Sequence, residues 1–212
     1  MTVHALPDLA SVGQRRGGRL RMLLLLLVCA APVLASYFMY FVVRPDGAGA
    51  AYGAIIDPPR DLPLADAFDL AGKPVALASL RRQWLVVAVG PSRCDEACER
   101  RLYLQRQVRE MLGRERERVD KVWLITDDAV MAQPLRRALE ATPAMHLLRL
   151  PATQADAWLI PAPGQRIDDH LYIVDPMGRL MMRMPTDAQP ARVKRDLDRL
   201  LRASASWDNA GR

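Results

Sequence analysis

Residues 22–43 are 22 consecutive positions without a charged side chain, and no other feature restricts the topology of this chain as much. At a rise of about 1.5 Å per residue, a helix over this run reaches across the roughly 30 Å of a bilayer's hydrocarbon core. Arg15, Arg16, Arg19 and Arg21 precede the run, and beyond Arg44 the next basic residue is Arg60. That asymmetry predicts an N-terminus kept in the cytoplasm and a C-terminal part exported across the inner (cell) membrane in a single pass. A cleaved signal peptide is the alternative, because Val33-Leu34-Ala35 satisfies a small-residue cleavage rule. Such a cut would leave Tyr37-Phe38-Met39-Tyr40-Phe41-Val42-Val43 as a very apolar new terminus. An uncleaved anchor is therefore expected. The expected layout is a cytoplasmic tail (1–21), a transmembrane helix (22–43), a Gly/Ala/Pro-rich linker (44–65), a periplasmic domain (66–203) and a short tail (204–212).

The net charge of +6 divides evenly about the span. Residues 1–43 carry four arginines and one acid, Asp8, and the remainder carries 26 basic and 23 acidic residues. The exported part thus has a mixed surface of both signs, which argues against a nucleic-acid partner. The excess at the front is a topology signal.

Two of the three cysteines, Cys94 and Cys98, lie outside the apolar run. They follow WLVVAVG (84–90), a short apolar run of the kind that forms a strand buried on both faces. A helix is expected from about residue 95 to 113, with Ala97, Leu104, Val108 and Met111 inward. On such a helix residues i and i+4 share a face, with Cα atoms roughly 6 Å apart. Two thiolates so placed can hold one metal ion, and a disulfide can span the same distance. A helix N-terminus also favours the thiolate form. Spacing alone leaves a metal pair, a redox pair and a structural disulfide open. Cys29, inside the apolar run, reads as a packing residue.

Strands and helices alternate through the exported part. A small hairpin is expected around Ala71-Gly72-Lys73-Pro74, then the strand at 84–90, the cysteine-bearing helix and a buried strand at 122–126. A helix at 134–141, a strand at 146–150 and a helical turn at 153–159 follow. Strands 171–174 and 180–184 flank the turn Asp175-Pro176-Met177-Gly178, and an amphipathic helix over 190–203 closes the domain. This order predicts a three-layer α/β domain.

The lead-in DLAGKPVALASLRRQWLVVAVG, the pair Cys94-x-x-x-Cys98, and His170 just before YIVDPMGRL together resemble the Sco/SenC family of membrane-anchored copper chaperones. The resemblance covers about residues 66–203. It implies a thioredoxin-like fold and a single copper ion held by Cys94, Cys98 and His170. It also implies a part in cytochrome oxidase assembly, with an oxidase subunit or another copper or thiol protein as partner. Soft thiolates with an imidazole suit Cu(I). In this chain Tyr172 follows His170 by two residues, a shorter approach than the family's. Two other readings stand beside this one: a thiol–disulfide oxidoreductase in which Cys94 attacks and Cys98 resolves, and a scaffold with the fold and no chemistry.

Other residues read as structural. Asp168 and Asp169 are expected to orient the His170 ring. His146 opens a strand far from the cysteines. Met182 and Met184 alternate with Leu180 as one strand face does, although thioethers also bind Cu(I). Asp127 and Asp128 are expected to cap the segment after their strand. Arg93, Arg100 and Arg101 are candidates for lowering the thiol pKa values. No hydrolase triad, phosphate-binding loop or zinc-type cysteine pair is present.

Overall fold

A computed structural model describes residues 17–39 and 51–205. It divides the chain into two compact units, one up to Ala50 and one from Ala51 onward. The first contains helix α1 (Gly17–Phe38), which is long and apolar enough over Gly18–Phe38 to cross a membrane. It starts five residues before the expected span and contains Pro32 and the exposed Cys29. The outer end of the expected span, 40–43, lies outside the described residues, as does most of the C-terminal tail.

The second unit is built on one eight-stranded sheet. Its strands are β1 (Ala54–Asp61), β2 (Asp66–Phe68), β3 (Pro74–Ala76), β4 (Trp84–Gly90), β5 (Val119–Ile125), β6 (Met145–Arg149), β7 (Leu171–Val174) and β8 (Arg179–Arg183). Their spatial order is β1-β8-β7-β4-β5-β6-β2-β3. β4, β5 and β6 run parallel, and the other pairings are antiparallel. The helices are α2 (Glu96–Met111), α3 (Gln133–Glu140), α4 (Ala152–Trp158) and α5 (Pro190–Ala203).

Two apolar clusters cover the two faces of the sheet. On one, Val86, Ala88, Trp123 and Ile173 pack against Leu102 of α2 and Val193, Leu197 and Leu201 of α5. On the other, Val87, Val89, Leu124 and Tyr172 pack against Ala155 and Trp158 of α4 and against Leu77 and Leu80. Alternate residues of one strand therefore feed opposite clusters, as a period of two requires. The result is the expected three-layer arrangement.

Two details differ from expectation. The segment read as a linker contains β1, which pairs with β8 at the sheet edge. Pro58 and Pro59 concealed it, yet an edge strand tolerates proline where a central strand does not, and the register shifts between Ile55 and Arg60. The chain just before β1 is pinned as well: the Gly53 N–H donates to Asp196 Oδ2 at 2.9 Å, and Arg192 stacks 4.9 Å from the Tyr52 ring centroid. In α2 the inward face is Cys98, Leu102, Gln105, Val108 and Arg109, not the purely apolar set. Gln105 and Arg109 are buried because strand carbonyls accept from them: Val86 and Val122 from Gln105 Nε2, and Val119 from Arg109 Nε. A hydropathy pattern cannot anticipate polar residues that satisfy backbone groups.

The methionine reading holds, with Leu180, Met182 and Met184 buried and Met177 exposed. The β7–β8 turn requires Gly178, which has φ +87°; a Cβ there would lie 2.9 Å from Leu62 Cδ1 and 3.0 Å from Arg81 Nε. Gly72 in the β2–β3 turn has φ +80° with nothing within 4 Å of such a Cβ. Gly72→Ala should therefore cost only the backbone strain, about 1 kcal/mol, and Gly178→Ala about 2–3 kcal/mol through strain plus the clash with Leu62. Urea unfolding of the two variants checks this, and equal losses would contradict the packing assigned to Gly178.

Candidate thiol and metal site

The cysteines stand where β4 ends. β4 is buried along its whole length, paired with β7 from Leu85 to Ala88 and with β5 as far as Gly90, so β5 fixes the position of Gly90. Beyond it the Thr126 N–H donates to the Gly90 carbonyl at 3.1 Å, and the Ser92 N–H donates to Asp127 Oδ1 at 3.0 Å. The loop is thus tied to the end of β5. Arg149 donates to the Asp127 and Ala129 carbonyls and holds that end in place. Burial pushes the Asp127 carboxyl up, but hydrogen bonds from Ser92 and Ala129 with the nearby Arg149 charge outweigh it and leave the pKa lowered. Asp127 was expected to cap the next helix; Ala132 is the residue at that cap, and it makes no side-chain cap bond. Asp127 instead anchors the cysteine loop. The available signal was an acid at the C-terminal end of the neighbouring parallel strand, where ligand-facing groups gather in α/β folds.

Asp95 is the N-cap of α2, and its carboxylate accepts the Cys98 N–H at 2.8 Å. Cys94 lies just before the cap and Cys98 in the first turn. Their Cα atoms are 5.3 Å apart and a disulfide joins them. Cys98 is buried in the first cluster, whereas Cys94 is half-buried. The electrostatic setting differs from the cationic one expected. Asp95, Glu96 and Glu99 crowd the first turn, and Arg100 pairs with Glu96 at 2.6 Å. The helix terminus is already answered by carboxylates.

His170 stands between the 3-10 turn Ile167–Asp169 and β7 and is 1% exposed. Its Nδ1 lies 2.8 Å from the Met184 carbonyl, which can only accept, so Nδ1 carries the proton. Nε2 therefore holds the lone pair, which accepts the Ala162 N–H at the long distance of 3.3 Å. Burial pushes the imidazole below its ordinary value against the opposing effect of the Met184 bond. The ring packs edge-on to Tyr172, a member of the second cluster. Asp168 and Asp169 do not orient it: Arg166 pairs with Asp168 at 2.8 Å, and Asp169 accepts the Arg166 N–H. His146 bonds Asp120 at 2.9 Å, a partner consistent with its structural reading.

A neutral imidazole with its proton fixed on a backbone carbonyl and its lone pair on the other nitrogen is in the form a metal ligand needs. Two thiols one helical turn apart supply the soft donors once reduced. The parts do not converge in this disulfide state. No group of three or more His, Cys, Asp or Glu side chains is gathered to hold a metal among the described residues. Cys98 packs into the first cluster while the His170 ring touches Tyr172 of the second. Nε2 would have to give up Ala162 to coordinate.

Residues 84–204 match the family model described as transmembrane-like, thioredoxin-like, C-terminal domain. Residues 11–43 match the one described as transmembrane-like, N-terminal domain. No curated protein matches the chain. Among solved structures, apo Sco1 from Thermus thermophilus aligns at TM-score 0.57 and 22% identity, over 73% of this chain and 100% of that one. Copper-bound yeast Sco1 aligns at 0.52 and 13%, over 73% and 90%. BsSco, described with a disulfide switch and as a member of the Sco family of cytochrome c oxidase assembly proteins, aligns at 0.51 and 16%, over 71% and 96%. At such identities the likeness establishes the fold.

The state of His170 sets a pH dependence. Unfolded, the imidazole takes up a proton as pH falls through its ordinary value of 6.5; folded, its pKa is lower and it stays neutral further down. The unfolded state then binds more protons, so stability falls as pH drops below about 6.5 and levels off once the folded value is passed. Urea midpoints from pH 7.5 to 5 should decline in the wild type and stay flatter in His170→Asn. Parallel declines in both would remove the buried neutral imidazole from the account.

Proposed function

The chain belongs to the transmembrane-like, thioredoxin-like family, and on that premise we propose that it is a membrane-anchored copper-handling protein of respiratory oxidase assembly. α1 is the single-pass inner-membrane anchor, with the N-terminus cytoplasmic and the globular unit periplasmic. The arginines before the span support that orientation. The observation that carries the reading is the Cys94–Cys98 pair, 5.3 Å apart at the β4–α2 turn, together with His170 held neutral with its lone pair on Nε2. The likeness to Sco structures, one of them described as copper-bound, supports the same reading.

Copper is cargo here. The disulfide first accepts two electrons and two protons from a thiol donor, giving two thiols one helical turn apart. Their thiolates bind Cu(I), and His170 Nε2 is the third ligand once it leaves the Ala162 N–H. The ion passes to an oxidase subunit or another copper or thiol protein by exchange of ligands. The disulfide itself favours one alternative, a thiol–disulfide oxidoreductase. In that reading the more exposed Cys94 attacks a partner's disulfide and the buried Cys98 resolves the mixed disulfide.

Competitive Cu(I) titration of the reduced full chain, run beside a disulfide-exchange assay, separates the two. The wild type should bind one Cu(I), and Cys94→Ser should lose that binding. His170→Ala should weaken it beyond the roughly 10- to 100-fold that loss of an outer partner costs, with little change in exchange rate. Unchanged copper affinity in Cys94→Ser would overturn the copper reading, and fast exchange abolished by that substitution would leave the oxidoreductase.

A further inference from the structure

Helix α5 has two opposed faces. Val193, Leu197 and Leu201 are buried, while Arg192, Arg195, Arg199 and Arg202 are exposed. With 3.6 residues per turn, spacings of three, four and three place these arginines within about 80° of the helix circumference. The two acids of α5 do not interrupt the stripe. Asp196 is buried and accepts the Gly53 N–H, and Asp198 pairs with Lys194. Arg199 lies 4.0 Å from Asp196, and Arg192 stacks on the Tyr52 ring. Arg195 and Arg202 make no ion pair among the described residues.

The exposed faces of the neighbouring helices are built differently. Arg100 pairs with Glu96 on α2 and Arg136 with Glu140 on α3, each at i,i+4. Opposite charges so spaced support a helix that faces only solvent, whereas like charges at the same spacing weaken it. The α5 stripe therefore works against its own helix until an anionic surface lies along it.

The chain itself decides which anionic surface is near. This inference rests on the reading of α1 as a membrane anchor and is independent of copper. Residues 44–51 separate the apolar run from Tyr52, and eight residues reach at most about 29 Å. Tyr52 lies under Arg192, so the tether joins the globular unit at the first arginine of the stripe. The 14 residues of α5 extend about 21 Å from there. Guanidinium groups bind phosphate oxygens bidentately, which suits the headgroups of a bilayer.

We propose that α5 is a docking face for anionic phospholipid headgroups. Arg195 and Arg202 bind lipid phosphates, Arg192 and Arg199 add positive charge, and the globular unit is held against the bilayer that anchors it.

The test is energy transfer in nanodiscs, using the full chain with the Cys94–Cys98 disulfide intact. A donor dye is placed on Ala203→Cys, at the exposed end of the stripe, in a Cys29→Ser background, and an acceptor dye is carried on the lipid headgroups. Transfer should be high in discs containing about one-third phosphatidylglycerol and low in discs of phosphatidylcholine alone. Each arginine at an anionic surface strengthens docking roughly fivefold, so Arg195→Gln with Arg202→Gln should lower the docked-to-free ratio roughly 25-fold. Raising the salt from about 0.15 M to 1 M shortens screening from about 8 Å to 3 Å and should have the same effect in the unsubstituted stripe. Lysine at both positions keeps the charge and should keep most of the transfer. A chain that fails to assemble into either disc overturns the anchor and this proposal together. A chain that assembles but shows transfer independent of phosphatidylglycerol and of the two arginines overturns the proposal alone.

Discussion

β4 is buried on both faces and hydrogen-bonded on both edges, to β5 in parallel and to β7 antiparallel. Seven consecutive apolar or small residues from Trp84 to Gly90 make that possible, since a central strand has no face on which to place a charge. Its termination at Gly90 then decides where everything chemical can stand. The turn into α2 carries Cys94 and Cys98. The end of β5 delivers Asp127 to the same loop, and the start of β7, paired antiparallel with β4, delivers His170 to that end of the sheet. Gln105 reinforces the arrangement from the helix side by bonding carbonyls of both β4 and β5.

Within that frame the cysteine pair and the histidine are held in different ways. The pair is joined covalently, and Asp95 takes up the Cys98 N–H. His170 is held by two backbone groups, a short bond to Met184 and a long one to Ala162. The short bond sets which nitrogen has the lone pair, and the long one is the weaker of the two. Reduction alone would not bring the three together: Cys98 sits in the first cluster and the His170 ring lies against Tyr172 of the second, so a shared metal ion would also need the loop or the imidazole to move.

Much of this was legible in the residues. The apolar run of β4, the alternation of Leu180, Met182 and Met184, and the 190–203 helix announced themselves through periodicity. The thiol pair was visible from its place after a buried strand. Most of what escaped involves polar side chains whose specific partners leave no periodic trace in the sequence. Gln105 and Arg109 fall outside the apolar face expected for α2 and are buried because strand carbonyls accept from them. Lys121, just before the strand expected at 122–126, lies fully buried in the core. Asp127 reaches Ser92, 35 positions away, and the acids beside His170 serve Arg166 in place of the imidazole. β1 was hidden by Pro58 and Pro59, which only an edge position tolerates.

The central claim is that the reduced pair forms the core of a copper site completed by His170. X-ray absorption of the full chain loaded with one equivalent of Cu(I) tests it at the atom concerned. The account predicts a first shell of two sulfurs and one nitrogen, with the nitrogen lost in His170→Ala and the sulfurs retained. A shell unaffected by Cys94→Ser, with copper held instead by exposed thioethers such as Met177, would contradict it.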